Sequence, residues 1–269
     1  MIPNNITASF FRRITIVIAL TFFINYGFAW GVLGHRIVGE IAYTYLTPKA
    51  KKNIALLLGN ESIAMSSNWA DFIKSDPQYN YLYNWHFLNV PPSLKEAEFM
   101  KYISNDTAVN AYTKIMFLEK ELDNKVTDKA TKAMYLKLLI HIVGDIHQPL
   151  HLGHVDDKGG NTIKVTWFNE PSNIHQVWDE KLINFQQLSY TEYVRVINFS
   201  KASERDAWQK QPLSEWLYES YQLADLVYKD IQMDEKLSYT YNFRYITILN
   251  QQLLKGGVRL AGILNEVFD

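Results

Sequence analysis

His141-Ile-Val-Gly-Asp145-Ile-His147-Gln-Pro149-Leu-His151 closes a run from Lys129 whose apolar residues recur at helical spacing. The run predicts a helix over Lys129–Asp145, which Pro149 then stops or kinks. On that helix His141 and Asp145 stand four apart. Their side chains therefore emerge on one face, about 5–6 Å from each other, and can hold one metal ion. Beyond the proline, His151 points elsewhere. A second pair, His175 and Asp179 in Asn173-Ile-His175-Gln-Val-Trp-Asp179, repeats the spacing. With His151 it offers two nitrogens and one oxygen, leaving positions for water and substrate as a catalytic zinc site requires. A lone His-x-x-x-Asp is an ordinary surface or capping pair. Two such pairs with a third histidine between them, in a chain holding only seven histidines, favour a metal site.

Outward from this segment the helical pattern continues. Ile37, Ile41, Tyr45 and Leu46 share one face, and Thr47-Pro48 reads as N-cap and first turn of a helix ending at Gly59. Further helices are predicted around Trp69–Lys74 and over Asp106–Asn124, Ser214–Ile231 and Tyr239–Phe268. The exception is Gly159-Gly160 followed by Asn161–Phe168, where period-two alternation and β-branched residues predict a strand or small hairpin. The fold class is thus all-α: one mostly helical domain with a short β element near 161–168. No repeat, low-complexity tract or linker divides it.

Composition narrows the chemistry. The 269 residues carry 27 Lys+Arg against 28 Asp+Glu, so no basic nucleic-acid footprint shows in the total charge. Apolar residues at 48% and aromatics at 14% exclude a disordered chain. With no cysteine, disulfides, thiolate metal sites and a cysteine nucleophile are excluded, and any metal binds through His, Asp, Glu or backbone atoms.

At the amino end, Arg12-Arg13 precedes an apolar run Ile14–Ile24, and Gly27 and Ala29 are small residues where a signal peptidase reads. This predicts a signal peptide over 1–29 and a catalytic domain over 30–269, secreted or periplasmic. The run is about half the length of a membrane-spanning helix, which leaves an N-terminal anchor and a twin-arginine route as the lesser alternatives. Cleavage before Trp30 removes two arginines and no acid, giving 25 − 28 = −3. It also frees an α-amine with a pKa near 8, which a metal can deprotonate and chelate together with the Trp30 carbonyl oxygen. His35, in Trp30-Gly-Val-Leu-Gly-His35, can complete such a site or simply form a structural turn.

Trp-Gly-x-x-Gly-His at Trp30–His35, His-x-x-Gly-Asp-x-x-Gln-Pro-Leu-His at His141–His151, Gly-Gly-Asn at Gly159–Asn161 and the final His-x-x-x-Asp together resemble the zinc-dependent S1/P1 nuclease family. The terminal Gly256-Gly257-Val-Arg259-Leu-Ala is similar to that family's last helix. The resemblance implies a mostly helical fold shared with bacterial zinc phospholipase C, and three zinc ions. Carried over by position, Asp71, His86, His141 and Asp145 would hold the first; His151, His175 and Asp179 the second; and the Trp30 amine and carbonyl, His35 and a shared Asp145 the third. Spacing alone points to neither Asp71 nor His86. His147 and His154 are left over as supporting or surface residues.

The resemblance also implies that Lys74 and Asn161 contact the scissile phosphate and that Phe87 stacks on a nucleobase. Asn89 departs from the Asp of fungal and plant members, and Asn both donates and accepts hydrogen bonds where a carboxylate only accepts. The implied catalytic set is Asp71, Lys74, Asp145 and Asn161. The implied reaction is hydrolysis of single-stranded DNA and RNA to 5′-phosphorylated products by a monomer with no stable membrane association, with 3′-nucleotidase activity as a second expectation. Two alternatives stay open: a zinc-dependent phospholipase C, disfavoured because its last His pair ends in Glu where this chain has Asp179, and a secreted protein in which zinc only staples a cysteine-free fold. Asn60, Asn105 and Asn198 lie in glycosylation sequons.

Overall fold

The computed structural model describes residues 30–269, so the expected signal peptide over 1–29 lies outside the described residues. Ten helical segments carry the fold. They are α1 (Val32–Tyr45), α2 (Pro48–Leu58), α3 (Glu96–Asn105), α4 (Ala111–Asp123) and α5 (Lys129–Asp145), then α6 (Ile174–Gln176, continuing through a π-helical stretch Val177–Lys181 into Leu182–Asn184), α7 (Tyr190–Ile197), α8 (Ala202–Lys210), α9 (Leu213–Asp230) and α10 (Tyr239–Phe268). Short helical turns at Ile63–Ser66, Trp69–Phe72, Ile73–Ser75, Pro77–His86 and Pro149–Leu152 fill the connections around the site.

Local chemistry sets the helix starts. Thr47 caps α2 by accepting from the Ala50 N–H, with Pro48 in the first turn. Asp128 caps α5 by accepting from Ala130 and Thr131. From Leu138 through Asp145 every residue of α5 is buried, which makes it the central rod of the domain. The 30-residue α10 lies beside it and against α1. The approach to α1 is close: a Cβ on Gly257 would sit 2.5 Å from Ile41 Cβ and 2.9 Å from the Val38 carbonyl. Only glycine allows the two backbones so near.

Two expectations are corrected. The helix expected over Asp106–Asn124 begins only at Ala111, because the Asn110 side chain accepts from the Thr113 N–H and caps it there; a separate helix, α3, precedes it. The helix expected over Trp69–Lys74 breaks into two turns, Trp69–Phe72 and Ile73–Ser75.

The β element is a hairpin of β1 (Lys164–Trp167) and β2 (Glu170–Asn173), antiparallel with Lys164 opposite Asn173. Phe168 and Asn169 at φ 48° and 71° make its two-residue turn, the positive-φ geometry that suits a twisted hairpin. A third strand, β3 (Glu235–Leu237), adds in parallel to β1. Among the described residues no helix is long and apolar enough to cross a membrane.

Candidate metal centre

The site forms where α5 ends. His141 and Asp145, one turn apart and fully buried, meet with His141 Nε2 3.2 Å from Asp145 Oδ2. Around His141 Nε2 also lie His86 Nδ1 at 3.0 Å and Asp71 Oδ1 at 3.6 Å. His86 closes the helical stretch that starts at Pro77, and Asp71 comes from the turn after Asn68. His35, from the first turn of α1, stacks on His141 with ring centroids 3.8 Å apart and puts its Nε2 3.3 Å from Asp145 Oδ1. Asp145 therefore faces histidines on both of its oxygens.

A second group forms beside the first. His175 Nε2 lies 3.2 Å from Asp179 Oδ2, and His151 Nε2 lies 4.0 Å from Asp179 Oδ1. The His175 and Asp179 pair straddles the start of the π-helical stretch of α6, the kind of local widening often found at functional sites. In all, three groups bring ligand atoms within 4.8 Å of one another: His35, Asp71 and His141; His86, His141 and Asp145; and His151, His175 and Asp179. Trp30 is fully buried, and the Gly31 N–H donates to the Asp179 carbonyl at 2.9 Å, which fastens the start of the described chain to the second group.

The donor set fits metal cations. His141, His151 and His175 each put Nδ1 against a backbone carbonyl, respectively of Ser67 at 2.6 Å, His86 at 2.6 Å and Gly159 at 2.7 Å. A carbonyl only accepts, so Nδ1 carries a proton and Nε2 is the nitrogen turned inward. Against the effect of burial, Asp145 and Asp179 raise the pKa of His141 and His175, so a cation bound there would take the place of a proton on Nε2. Buried Nε2 atoms of His35, His86 and His151, and Asp145 Oδ1, have no hydrogen-bond partner. Burial holds the His35, His86 and His151 imidazoles well below their usual pKa, in the neutral ligand form. Burial pushes Asp145 up to about 7, against the pull of His141. Converging lone pairs and carboxylates away from water are costly unless a cation sits among them.

Above these groups opens a cleft of about 590 Å³ lined by Lys74, Tyr83, His86, Phe87, Asn89, His151, Lys158, Asn161, Lys164 and His175, among others. Every residue expected to touch substrate thus faces one space. Lys74 Nζ is held at 2.6 Å by Asp71 Oδ1. Asn161 donates to the Lys158 carbonyl at 2.9 Å. The exposed Tyr83 ring stands edge-on to Phe87, with centroids 5.6 Å apart.

The structure leaves His147 and His154 outside the groups. His147 is no surface residue: fully buried, it takes Arg259 Nη1 at 3.0 Å, and burial beside that guanidinium lowers its pKa to about 3. His154 stacks on Tyr228. Sequence reasoning did not single out Gln148, whose Nε2 donates to Asp179 Oδ1 at 2.6 Å and aims that carboxylate; its place inside the Gln-Pro-Leu-His stretch was the available signal.

The family model described as S1/P1 Nuclease matches residues 30–269. The chain belongs to the S1/P1 nuclease family. Its similarity to Endonuclease 3 of Arabidopsis thaliana is 29% identity, covering 94% of this chain and 94% of that protein. Against Nuclease S1 of Aspergillus oryzae it is 26%, covering 89% and 92%. Among solved structures, Alpha Toxin from Clostridium Absonum matches with a TM-score of 0.42 at 18% identity, over 90% of this chain and 63% of that one. As a member of the S1/P1 nuclease family, the protein is a hydrolase acting on nucleic acids.

Proposed function

We propose that this S1/P1 family member is a secreted, trinuclear-zinc phosphodiesterase that cuts single-stranded DNA and RNA to 5′-phosphorylated products and also removes 3′-phosphates from nucleotides. The observation that carries the reading is the convergence of buried histidine nitrogens and carboxylate oxygens, several of them unpartnered, beneath an open cleft that His86, His151 and His175 reach. In the proposed active form residues 1–29 are removed as a signal peptide and 30–269 act as a monomeric catalytic domain. Asp71, His86, His141 and Asp145 hold one zinc; His151, His175 and Asp179 a second; and the Trp30 amine and carbonyl, His35 and Asp145 a third. Zinc in such a site supplies activation of water and neutralisation of phosphoryl charge.

The chain's own residues do the rest. Asp71 fixes the Lys74 ammonium at 2.6 Å, so its remaining N–H bonds can meet a phosphoryl oxygen, and Asn161 offers an amide donor to the same group. Donors fixed in advance stabilise charge that grows during the reaction. Phe87 takes a base by stacking, which is tolerant of base identity, and Asn89 contacts that base's edge. A paired, stacked base reaches Phe87 only after unpairing, at a cost of a few kcal/mol; single strands are therefore preferred.

The test is metal content measured together with turnover on protein that begins at Trp30. About three zinc per chain and faster hydrolysis of single-stranded than of duplex nucleic acid are expected, and one residue added before Trp30 should remove one zinc and most of the activity. Cleavage of phosphatidylcholine without nucleic acid hydrolysis, or a single zinc with no turnover, would overturn the reading.

A further inference from the structure

The cleft differs in charge from the rest of the molecule. Acidic and basic residues are balanced in the chain, at 28 and 27, yet the cleft is lined by Lys74, Lys158 and Lys164 and by no Asp or Glu. Lys74 is tied to Asp71. Lys158 and Lys164 are exposed and form no ion pair with any described residue. Solvated lysines are common. These two are set apart by where the backbone puts them.

Both lysines belong to the ribbon that supports His175. Lys158 precedes Gly159, whose carbonyl accepts from His175 Nδ1 at 2.7 Å. Lys164 pairs in register with Asn173, whose side chain caps the helical turn carrying His175. Between them stands Asn161. Lys158 itself has φ 56°, the left-handed region where Gly or Asn is favoured, and Gly159 and Gly160 follow at 64° and 83°. Asp157 pins this turn, accepting from the Gly160 N–H at 2.7 Å and the Tyr228 hydroxyl at 2.9 Å. A lysine held in a strained, braced turn at the rim of an acid-free cleft is a feature that points to function.

We infer that Lys158 and Lys164 form a phosphate subsite for the nucleic-acid backbone flanking the reacting phosphate. The inference rests on the nuclease reading above and narrows its substrate class: an oligonucleotide with several phosphates is favoured over a substrate with one. The contact is to backbone charge and carries no base preference.

Two substrates separate the subsite from the reacting centre. The dinucleotide thymidylyl-thymidine has one phosphate and nothing to offer a flanking site, whereas the octamer of thymidylate has several. The zinc-loaded double variant Lys158→Asn, Lys164→Gln keeps a residue that tolerates the left-handed turn and alters only exposed positions. It should show a raised KM and an unchanged kcat on the octamer, with kinetics on the dinucleotide unchanged. Each phosphate contact in a single strand contributes about 0.7 to the slope of log affinity against log salt. Between 50 and 200 mM salt the wild-type KM for the octamer should therefore rise about sevenfold more than the variant's. Lys164→Glu alone should raise the octamer KM further than Lys164→Gln, so the outcome does not depend on the turn surviving. An unchanged octamer KM and salt slope, or an equal loss on both substrates, would overturn the subsite. A wild-type protein that hydrolyses neither substrate would instead overturn the nuclease reading itself.

Discussion

Gly144 tests whether the geometry of the buried cluster matters beyond its composition. It lies on α5 between His141 and Asp145, and a Cβ added there would sit 2.9 Å from His35 Nδ1 and 3.3 Å from its Cε1. The His35 ring has little room to adjust, because it is fully buried and stacked on His141 with ring centroids 3.8 Å apart. Gly144→Ala should cost about 1–3 kcal/mol through overpacking and regain about 1 kcal/mol from helix propensity. The net loss, about 0–2 kcal/mol, is at most several degrees of Tm for a chain of this size. The effect on the site should be larger. His35 Nε2 would move off its 3.3 Å position against Asp145, and displacements on the order of 1 Å can cost about a hundredfold in rate. The assay is zinc per chain after dialysis, with turnover on single-stranded DNA and a thermal melt. Gly256→Ala is the control: its Cβ would also meet a histidine, His147 at 3.3–3.5 Å, but one outside the cluster. Gly144→Ala should lose zinc and activity at nearly native stability, and Gly256→Ala should keep both. Full zinc and native turnover in Gly144→Ala would refute a ligand role for His35.

Two further perturbations probe the scaffold. Burial, with Glu266 nearby, pushes Glu119 up to about 7; the folded state thus binds its proton more tightly than the unfolded chain, and stability falls as pH rises from about 4.5 to 7. Discounted for its partial exposure, Glu119→Gln should leave the urea midpoint unchanged near pH 4 and raise stability by about 1–2 kcal/mol at pH 8; equal gains at both pH values would rule out ionisation as the cause. Arg259 is fully buried, donating from Nη2 to Glu219 and Gln211, both at 2.7 Å, beside His147. Glu219 is partly exposed and keeps Lys255 as a partner, so Arg259→Met should cost less than the about 3–5 kcal/mol of a fully buried pair. A loss of about 1–3 kcal/mol should lower Tm by roughly 2–12 °C while zinc content stays native; calorimetry with metal analysis checks both.

What could be read from the sequence was whatever leaves a local mark. The Thr47-Pro48 cap, the two His-x-x-x-Asp pairs and the alternation after Gly160 each depend on neighbours in the chain. Helix α8 leaves almost none: it buries no residue, so it has no apolar stripe to find. The orienting bonds were hidden for a different reason. His141, His151 and His175 are fixed by the carbonyls of Ser67, His86 and Gly159, and every residue has a carbonyl. Asp71 and His86 carry no spacing signal either. Only folding brings them to His141, 70 and 55 positions away. His147 has the same history, since its partner Arg259 lies 112 positions on.

The cluster also bears on how a chain without cysteine holds itself together. The residues that converge come from α1, the turns at Asp71 and His86, the end of α5, the turn at His151 and α6, so a cation held among them would cross-link segments from His35 to Asp179. Left alone, the same convergence opposes folding, because Asp71, Asp145 and Asp179 are all at least 96% buried among histidines. Burial raises Asp145 and Asp179 above their ordinary pKa. The unfavourable charge and the missing cross-link therefore have one remedy, cations whose binding energy is also folding energy. It follows that the ligand residues cannot be judged as catalytic parts alone: replacing Asp145 removes a ligand and at the same time relieves a buried negative charge, and the measured change in stability is the difference between the two.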